Sequence, residues 1–293
     1  MNSIYEIYRS LSMAERMLVF LVLAPFVGGF LSGVDRKLSA RLQGRYGPPF
    51  RQPFYDVLKL FHKERIVVNK FQNFSIILFF LFTVFSGALF FAGADFLLII
   101  FSLALAGTFF ILGGYSVGSP YSHLGAEREL IQTVSYEPMM ILMAVGMYQV
   151  TGTFNVAELV QQKEPLVLYL PGVFVGFLYI LTIKFRKSPF DLSMSHHAHQ
   201  EIVRGITTEF SGPALGLIEV THWYENVLLL GAVFLFFAFS PWIALLASLA
   251  TYFFEVFIDM NYARFKWQLT FASSWIFTAV AGISNIIVLN FVK

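Results

Sequence analysis

The sequence predicts an all-α polytopic membrane protein with about eight transmembrane helices and one amphipathic interfacial helix after the first. Of its 293 residues, 57% are hydrophobic and only 13% are charged, whereas a soluble domain has roughly 25% charged residues. Apolar runs of about 20 residues, the length that crosses the hydrocarbon core of a bilayer, recur along the chain. These observations exclude an ordinary soluble protein and indicate a single membrane domain over residues 1–293.

Each spanning helix is expected where such an apolar run occurs: 14–34, 75–93, 96–117, 136–152, 166–184, 213–239, 241–259 and 271–291. The fourth run is the weakest by hydropathy because it is short and opens with Glu137-Pro138. Proline is tolerated in a first helical turn, so this helix begins either there or earlier, near Leu130. No internal repeat relates the runs, which disfavours the inverted-repeat design of many transporters.

Lys and Arg residues are distributed unevenly over the connections between these helices. Only four of the 20 lie at the termini or in even-numbered connections, namely Arg9, Arg16, Lys163 and Lys293. By the positive-inside rule, the odd-numbered connections are cytoplasmic, which places loops 35–74, 117–136, 185–212 and 259–270 inside and both termini outside. The expected location is the cell (plasma) membrane.

The first long connection contains an amphipathic segment between Gln52 and Glu64. Its apolar side chains recur at the spacing of one helix face, at Phe54, Val57, Leu58 and Phe61. Lys59 and Lys63 lie four residues apart in the same segment. This pattern predicts a helix that lies in the membrane interface.

Basic residues are concentrated around the rigid Pro48-Pro49 turn, at Arg36, Lys37, Arg41, Arg45 and Arg51. Such a run either holds lipid phosphates as an ordinary basic flank or docks an acidic surface of a partner protein. Nucleic acid is not an expected partner, because no basic domain with interleaved aromatic residues is present.

Acids and histidines are concentrated in the second half of the chain, at Asp191, His196, His197, His199, Glu201, Glu209, Glu219, His222 and Glu225. The last three fall inside an expected spanning helix and recur every three residues, so they lie within an arc of about 120°. Intramembrane ionisable groups cost about 2.5–3.5 kcal/mol each on insertion scales and persist mostly where they serve an ion or proton path. Proton transfer is therefore the first functional hypothesis.

Three further acids are expected within or beside spanning helices. Glu137 opens the fourth helix, and Glu255 and Asp259 share a face of the seventh because they are four residues apart. A bundle that brings these groups together with those of the sixth helix would hold a carboxylate-lined path. The alternative is that they lie near helix ends, where they meet lipid headgroups or pair with basic loop residues.

The histidine cluster does not have the spacing of a known metal motif. His196, His197 and His199 match neither the helical zinc motif nor a zinc finger, so we expect them to form hydrogen bonds at a subunit interface or to relay protons. The chain has no cysteine. It therefore cannot hold an iron–sulfur cluster or a nickel–thiolate centre by itself, and no metal site is expected.

Motifs in all four basic connections resemble one family. The first connection has Arg41-Leu-Gln-Gly-Arg45-Tyr-Gly47-Pro-Pro49, followed by Gln52-Pro53, Asp56, Lys59 and Lys63-Glu64. The second has Glu127-x-Glu129 and, further on, Ser135-Tyr-Glu137-Pro138. The third has Ser188-Pro-Phe-Asp191-Leu192 and Glu209-Phe-Ser-Gly212, and the fourth has Arg264-Phe-Lys-Trp-Gln268-Leu269. Along the whole chain these motifs resemble subunit 1 (NuoH-type) of respiratory complex I.

The segment after Leu192 departs from complex I, which has an acid-rich segment there. This chain instead has Ser195-His-His-Ala-His-Gln-Glu201, followed later by Glu219-Val-Thr-His222-Trp-Tyr-Glu225. That pattern is similar to the membrane subunit of group 4 membrane-bound nickel–iron hydrogenases, of the Ech and archaeal types. The resemblance implies an anchoring and proton-path subunit of an energy-converting, ferredoxin-dependent hydrogenase, which couples electron transfer in a docked peripheral arm to H⁺ or Na⁺ translocation.

The same resemblance implies that this chain carries no redox centre and no cofactor. The nickel–iron centre and the iron–sulfur clusters are then expected in partner subunits. The implied partners are the hydrogenase large and small subunits, a ferredoxin-like iron–sulfur subunit and antiporter-like membrane subunits, together with the lipid bilayer.

By position, the resemblance assigns a proton path to Glu137, Asp191, Glu201, Glu209, Glu219 and Glu225, and the residue pattern adds His222, Glu255 and Asp259. The expected docking surface for the peripheral arm comprises Arg41, Arg45, Asp56, Lys59, Lys63, Glu64, Glu127, Glu129, His196, His197, His199 and Arg264.

Several alternatives remain open at this point. The chain could be the equivalent subunit of a membrane-bound sulfane reductase, a formate hydrogenlyase or a quinone-reducing complex I, although loss of the complex I acids disfavours a quinone site. A passive scaffold for the peripheral arm would have its acids satisfied by arginines. A stand-alone transporter is the least expected, because it needs no large basic docking loops and should show repeats.

Overall fold

The computed structural model describes residues 10–66, 69–190, 193 and 204–292. Its helices, in chain order, are α1 Met13–Leu42, α2 Gln52–Phe61, α3 Lys70–Ala92, α4 Phe96–Tyr115, α5 Pro120–Thr151, α6 Val156–Leu159, α7 Leu166–Tyr169, α8 Pro171–Lys184, α9 Gly212–Phe236, α10 Pro241–Asn261, α11 Trp267–Phe277 and α12 Ser284–Val292. A 3₁₀ turn lies at Gly205–Thr207, and a π-helical segment, Thr278–Ile283, joins α11 to α12. These described ranges contain no β-strand, so the predicted all-α class is confirmed.

Six spans in the described ranges are long and apolar enough to cross a membrane: α1, α3, α4, α5, α10 and the continuous α11–α12. The other two predicted spans are not among these six. The fifth is divided into α7 and the 14-residue α8, because Pro171 cannot continue the helix that precedes it. The sixth, α9, has 25 residues and carries the predicted acids and His222. The chain is therefore a multi-pass membrane protein.

Helix α1 extends beyond the predicted span. Its 30 residues have a length of about 45 Å at about 1.5 Å per residue, whereas the hydrocarbon core is about 30 Å thick. Asp35, Arg36 and Arg41, which the sequence placed in a loop, therefore lie on the last turns of a projecting helix. We call this end of the bundle the α2 end; it is the end predicted to be cytoplasmic.

Helix α5 also begins earlier than predicted, at Pro120 rather than near Leu130 or Glu137. Its first turns pack on the 3₁₀ turn, where the Ser122 hydroxyl donates to the carbonyl of Gly114 at 2.9 Å and that of Ile206 at 3.4 Å. Glu137 consequently lies in the interior of α5. Most of the predicted loop 117–136 is thus helical.

The interfacial helix α2 lies where the sequence predicts it. Phe54 packs edge-on against Trp223 of α9, with ring centroids 5.3 Å apart, and Val57 is buried. Leu58 and Phe61 are exposed, with relative exposures of 54% and 44%. A helix with one face on the bundle and apolar side chains remaining outside is suited to the membrane interface.

The apolar core lies between α5, α8 and α9. Met139, Met143 and Met147 of α5 are fully buried together with Phe177 of α8 and Phe236 of α9. Large apolar side chains on the outer faces are exposed, including Phe26, Leu246 and Ile276. This outward apolar surface is expected of a protein whose solvent is lipid.

Candidate functional site

A charged cleft of about 850 Å³ opens at the α2 end, between α1, α9, the end of α10 and the segment that follows α8. Its acidic lining residues are Asp35, Glu219, Glu225 and Asp259, and its basic lining residues are Arg36, Arg45, Lys184, Arg186, Lys187, His222 and Arg264. The acids come from three different helices, so helix packing rather than sequence proximity creates the cleft.

The innermost ion pair joins Lys184, the last residue of α8, to Glu225 of α9. The Lys184 Nζ atom lies 2.8 Å from Glu225 Oε1, and both side chains are buried. The same Nζ lies 4.2 Å from the centre of the Tyr136 ring. Both residues of a buried ion pair are needed, because removal of either one leaves the other as an uncompensated charge at low dielectric.

Arg186 joins this pair to helix α5. Its guanidinium lies 3.2 Å from Glu129 Oε1 and donates to Nε2 of His222. His222 Nδ1 lies 3.4 Å from Glu225 Oε2. Because arginine can only donate, Nε2 must accept, so the imidazole carries its hydrogen on Nδ1 and faces Glu225. Glu129, Arg186, His222, Glu225 and Lys184 therefore form one continuous row, which we call the charged row.

Arg186 takes its place in the charged row through an unusual backbone conformation. Its φ angle is 55°, in the left-handed region, which costs a non-glycine residue about 1–3 kcal/mol. The backbone N–H groups of Arg186 and Lys187 donate to carbonyls of α8, those of Ile183 and Thr182, both at 3.0 Å. This reversal turns the basic residues after α8 back into the bundle.

Lys187 forms a second group of charges with α1 and α10. Its ammonium pairs with Asp35 and lies 3.4 Å from Asp259 Oδ2, and the Ser188 N–H donates to Asp259 Oδ1 at 2.8 Å. Burial by itself lowers the pKa of Lys187, but the two carboxylates outweigh it and raise this pKa above its ordinary value. Lys187 therefore stays charged between its two acids.

The predicted proton-path residues are only partly brought together. Glu219, His222, Glu225 and Asp259 line the cleft, and Glu255 is completely buried one helical turn from Asp259. Glu137 is half-buried on α5, and Glu209 is half-buried just before α9; neither lines the cleft. Asp191 and Glu201 lie outside the described residues.

The predicted docking residues divide into surface and interior groups. Lys59, Lys63, Glu64 and Glu127 are exposed, Arg41 lies over the Tyr46 ring, and Asp56 pairs with Arg36 at 2.5 Å. Arg45 and Arg264 line the cleft. Glu129, by contrast, is buried with a relative exposure of 7% and belongs to the charged row. His196, His197 and His199 lie outside the described residues.

Sequence reasoning missed four residues of this site: Asp35, Lys184, Arg186 and Lys187. The three basic residues stand within four positions of one another directly after an apolar run, which is also the pattern of an ordinary cytoplasmic flank. The signal that distinguishes them is the presence of intramembrane acids elsewhere in the chain, because buried carboxylates require cations.

Within the described ranges, no group of three or more His, Cys, Asp or Glu side chains is arranged to hold a metal ion. The arrangement that the structure does show is a set of largely buried ion pairs between basic and acidic side chains of different elements.

A family model described as NADH dehydrogenase matches residues 15–290 of the chain. A subunit of the NADH-quinone oxidoreductase of Syntrophotalea carbinolica is 27% identical over 293 residues, covering 87% of this chain and 88% of that protein. Hydrogenase-4 component C of Escherichia coli is 30% identical over 217 residues, covering 68% of this chain and 66% of that protein.

A solved structure is similar over nearly the whole fold. A chain of the membrane-bound sulfane sulfur reductase, an archaeal respiratory membrane complex, superposes with a TM-score of 0.81 and 25% sequence identity. The match covers 93% of this chain and 99% of that chain.

Proposed function

The chain belongs to the NADH dehydrogenase family, in agreement with the predicted resemblance, and from this premise we propose that it is the membrane subunit of an energy-converting, ferredoxin-dependent nickel–iron hydrogenase. Its role in that complex is to anchor the peripheral arm and to couple electron transfer there to H⁺ or Na⁺ translocation. The observation that carries the proposal is the charged row, which continues from the α2 end into the membrane-spanning bundle.

The hydrogenase branch is supported by two features of the sequence. The chain is similar to a hydrogenase component over two thirds of its length, and it has the His-rich segment at 195–201 where complex I has acids. A membrane-bound sulfane reductase is the nearest alternative, given the structural likeness to a chain of such a complex. Formate hydrogenlyase and quinone-reducing complex I are further alternatives of the same kind.

The partners follow from the same proposal. Hydrogenase large and small subunits and a ferredoxin-like iron–sulfur subunit would dock on the exposed basic and acidic residues of the α2 end, with that end in the cytoplasm and both termini outside. Antiporter-like subunits would pack against the bundle within the membrane. The nickel–iron centre and iron–sulfur clusters would belong to these partners, because the chain has no cysteine.

Coupling would proceed through exchange of ion-pair partners. Lys184, Arg186 and Lys187 directly precede the loop 188–212, which a docked arm would contact. A movement of this loop would withdraw a cation from Glu129, Glu225 or Asp259. A buried carboxylate that loses its cation takes up a proton, because an unpaired charge is far more costly there than a neutral acid. Protons would thus enter and leave the row in step with electron transfer.

The composition of the native complex tests the proposal first. We expect the complex that co-purifies with this chain from native membranes to contain nickel and iron–sulfur subunits and to evolve hydrogen from reduced ferredoxin. Mass spectrometry with metal analysis establishes the composition, and a hydrogen-evolution assay establishes the activity. Iron–sulfur subunits without nickel would favour the sulfane or quinone reductase, and a chain without any metalloprotein partner would contradict the proposal.

Neutralising the acids of α9 tests whether the subunit takes part in ion translocation or only anchors the peripheral arm. In the intact complex, Glu219→Gln with Glu225→Gln is expected to keep electron transfer but to reduce translocation to background, because the row can no longer exchange protons there. Ion uptake into inverted vesicles, measured beside hydrogen evolution, decides the outcome. Glu158→Gln, an exposed acid at the other end of the bundle, is the matched control.

A passive scaffold remains the alternative of another class, supported by the fact that Glu129, Glu225 and Asp259 each have a cation partner. It predicts that the complex assembled with the double variant stays fully coupled, whereas the poorer assembly expected from leaving Lys184 without its carboxylate follows from either role. Unchanged translocation in an assembled double variant would therefore reject proton transfer through α9 and leave only the anchoring role.

A further inference from the structure

Glu255 of α10 is the one acid of the bundle that the described structure buries completely without a partner. Its relative exposure is 0%, and neither of its carboxyl oxygens has a hydrogen-bond partner within the described residues. An ionised carboxylate in that state is among the costliest groups that a protein interior can hold. None of the ion pairs described above includes Glu255, so they do not explain why an acid is buried at this position.

The potential donors around Glu255 are already engaged. The Thr182 hydroxyl of α8 faces it but donates to the Tyr179 carbonyl at 2.8 Å. The Tyr252 hydroxyl donates to the Leu31 carbonyl at 3.1 Å. If Glu255 is a neutral carboxylic acid, it does not depend on these donors, because its own O–H can donate to the free lone pair of the Thr182 hydroxyl.

The neighbouring cations are likewise committed to other acids. Lys187, which follows α8, is held by Asp35 of α1 and Asp259 of α10. Lys184 is held by Glu225 of α9. The two buried lysines at this end of the bundle, Lys184 and Lys187, are therefore both paired with acids other than Glu255.

Glu255 does not line the cleft itself but lies one helical turn from Asp259, which does and which stands on the α2 side. On the other side is a cavity of about 320 Å³ with an almost wholly apolar lining that includes Leu31, Leu230 and Leu249. Its one hydroxyl among the described residues, that of Ser248, donates to backbone carbonyls. Such a cavity offers water too few polar partners to continue the path.

Building on the proposed function, we propose that Glu255 is a proton-binding residue, which holds a proton as a neutral carboxylic acid one helical turn from Asp259 and exchanges it with the cleft through Asp259. When Lys187 leaves Asp35 and moves to Glu255, the O–H bond of Glu255 breaks and a new O–H bond forms on Asp259. The proton then passes from Asp259 to cleft water. The total charge of the four side chains is unchanged by the first transfer, and Lys187 stabilises the carboxylate that is left.

Infrared spectra of the purified resting complex, with the spectrum of each variant subtracted from that of the wild type, test the resting state directly. The wild-type complex is expected to show the C=O stretching band of a buried, neutral carboxylic acid, and Glu255→Gln is expected to remove that band. Glu158→Gln, an exposed acid, is expected to leave it unchanged. Persistence of the full band in assembled Glu255→Gln would overturn the proposal.

Two further variants keep the test decisive. If Glu255→Gln fails to assemble, Glu255→Asp retains the acid and is expected to shift the band rather than remove it; an unshifted band would overturn the assignment. Lys187→Met is expected to keep the resting band but to abolish its change on reduction by ferredoxin, and a change of wild-type size would reject the role of Lys187.

The outcome is independent of the partner chemistry. The resting band reports on Glu255 whether or not the complex contains nickel, so a failed hydrogenase assignment leaves this test intact. Conversely, a missing band combined with loss of coupling in the Glu219 and Glu225 variants would reject Glu255 alone and retain the proposed function.

Discussion

Replacement of Lys184 by Met is expected to lower the stability of the subunit by about 3–5 kcal/mol, the usual penalty for breaking a buried ion pair. The substitution keeps most of the side-chain volume but leaves Glu225 buried without the ammonium that lies 2.8 Å from it. The purified complex is expected to have a lower midpoint of thermal inactivation, and membranes are expected to contain less assembled subunit.

A second substitution shows whether charge is the cause. Lys184→Met combined with Glu225→Gln removes both charges and is expected to recover most of the loss, since a neutral pair has no uncompensated charge. Glutamine can still accept the hydrogen bond from His222. Lys163→Met, at an exposed position, controls for loss of a lysine. If the Lys184→Met single variant is as stable as the wild type, the ion pair between Lys184 and Glu225 does not contribute to the stability of the subunit.

Gly125→Ala is expected to displace the 3₁₀ turn at Gly205–Thr207 from helix α5. An added methyl group would overlap the backbone nitrogen of Ile206 and lie 2.5 Å from the carbonyl carbon of Gly205. Neither atom can move without the backbone, so overpacking of about 1–3 kcal/mol is expected. Displacement would also move the end of the loop that leads to α9, so we expect the peripheral arm to be retained poorly.

Co-purification of the arm subunits, quantified against this chain, measures that effect. Gly118→Ala is the matched control, because Gly118 lies just before α5 and an added methyl group there would meet nothing within 4 Å. Equal retention of the arm in both variants would mean that the contact between α5 and the 3₁₀ turn does not position the docking surface.

Local patterns in the sequence determined most of the fold. Hydropathy over windows of about 20 residues identifies spanning helices because lipid requires every backbone polar group to be satisfied within its own helix. The same locality explains why α2 was predicted correctly from the spacing of Phe54, Val57 and Phe61. Helix ends were less predictable: α1 and α5 continue beyond the bilayer, where hydropathy no longer marks them.

The acids of α9 and α10 were also visible in the sequence, because ionisable residues within apolar runs are rare, whereas Asp35 of α1 was missed. The partners of these acids were not visible. Glu129 and Arg186 are 57 positions apart, and Lys187 and Asp35 are 152 apart, so only helix packing determines which charges meet. The left-handed conformation of Arg186 accompanies the inward turn of Arg186 and Lys187 at a place where sequence rules expect basic residues to face the cytoplasm.

The sequence by itself therefore determined the membrane environment, the helices and the presence of buried acids, because these depend on residue type and local spacing. Tertiary structure alone decided which acids are paired and that Glu255 has no partner among the described residues. The physical reason is that hydropathy acts residue by residue along the chain, whereas the state of a buried charge depends on distances of a few ångströms to groups on other helices.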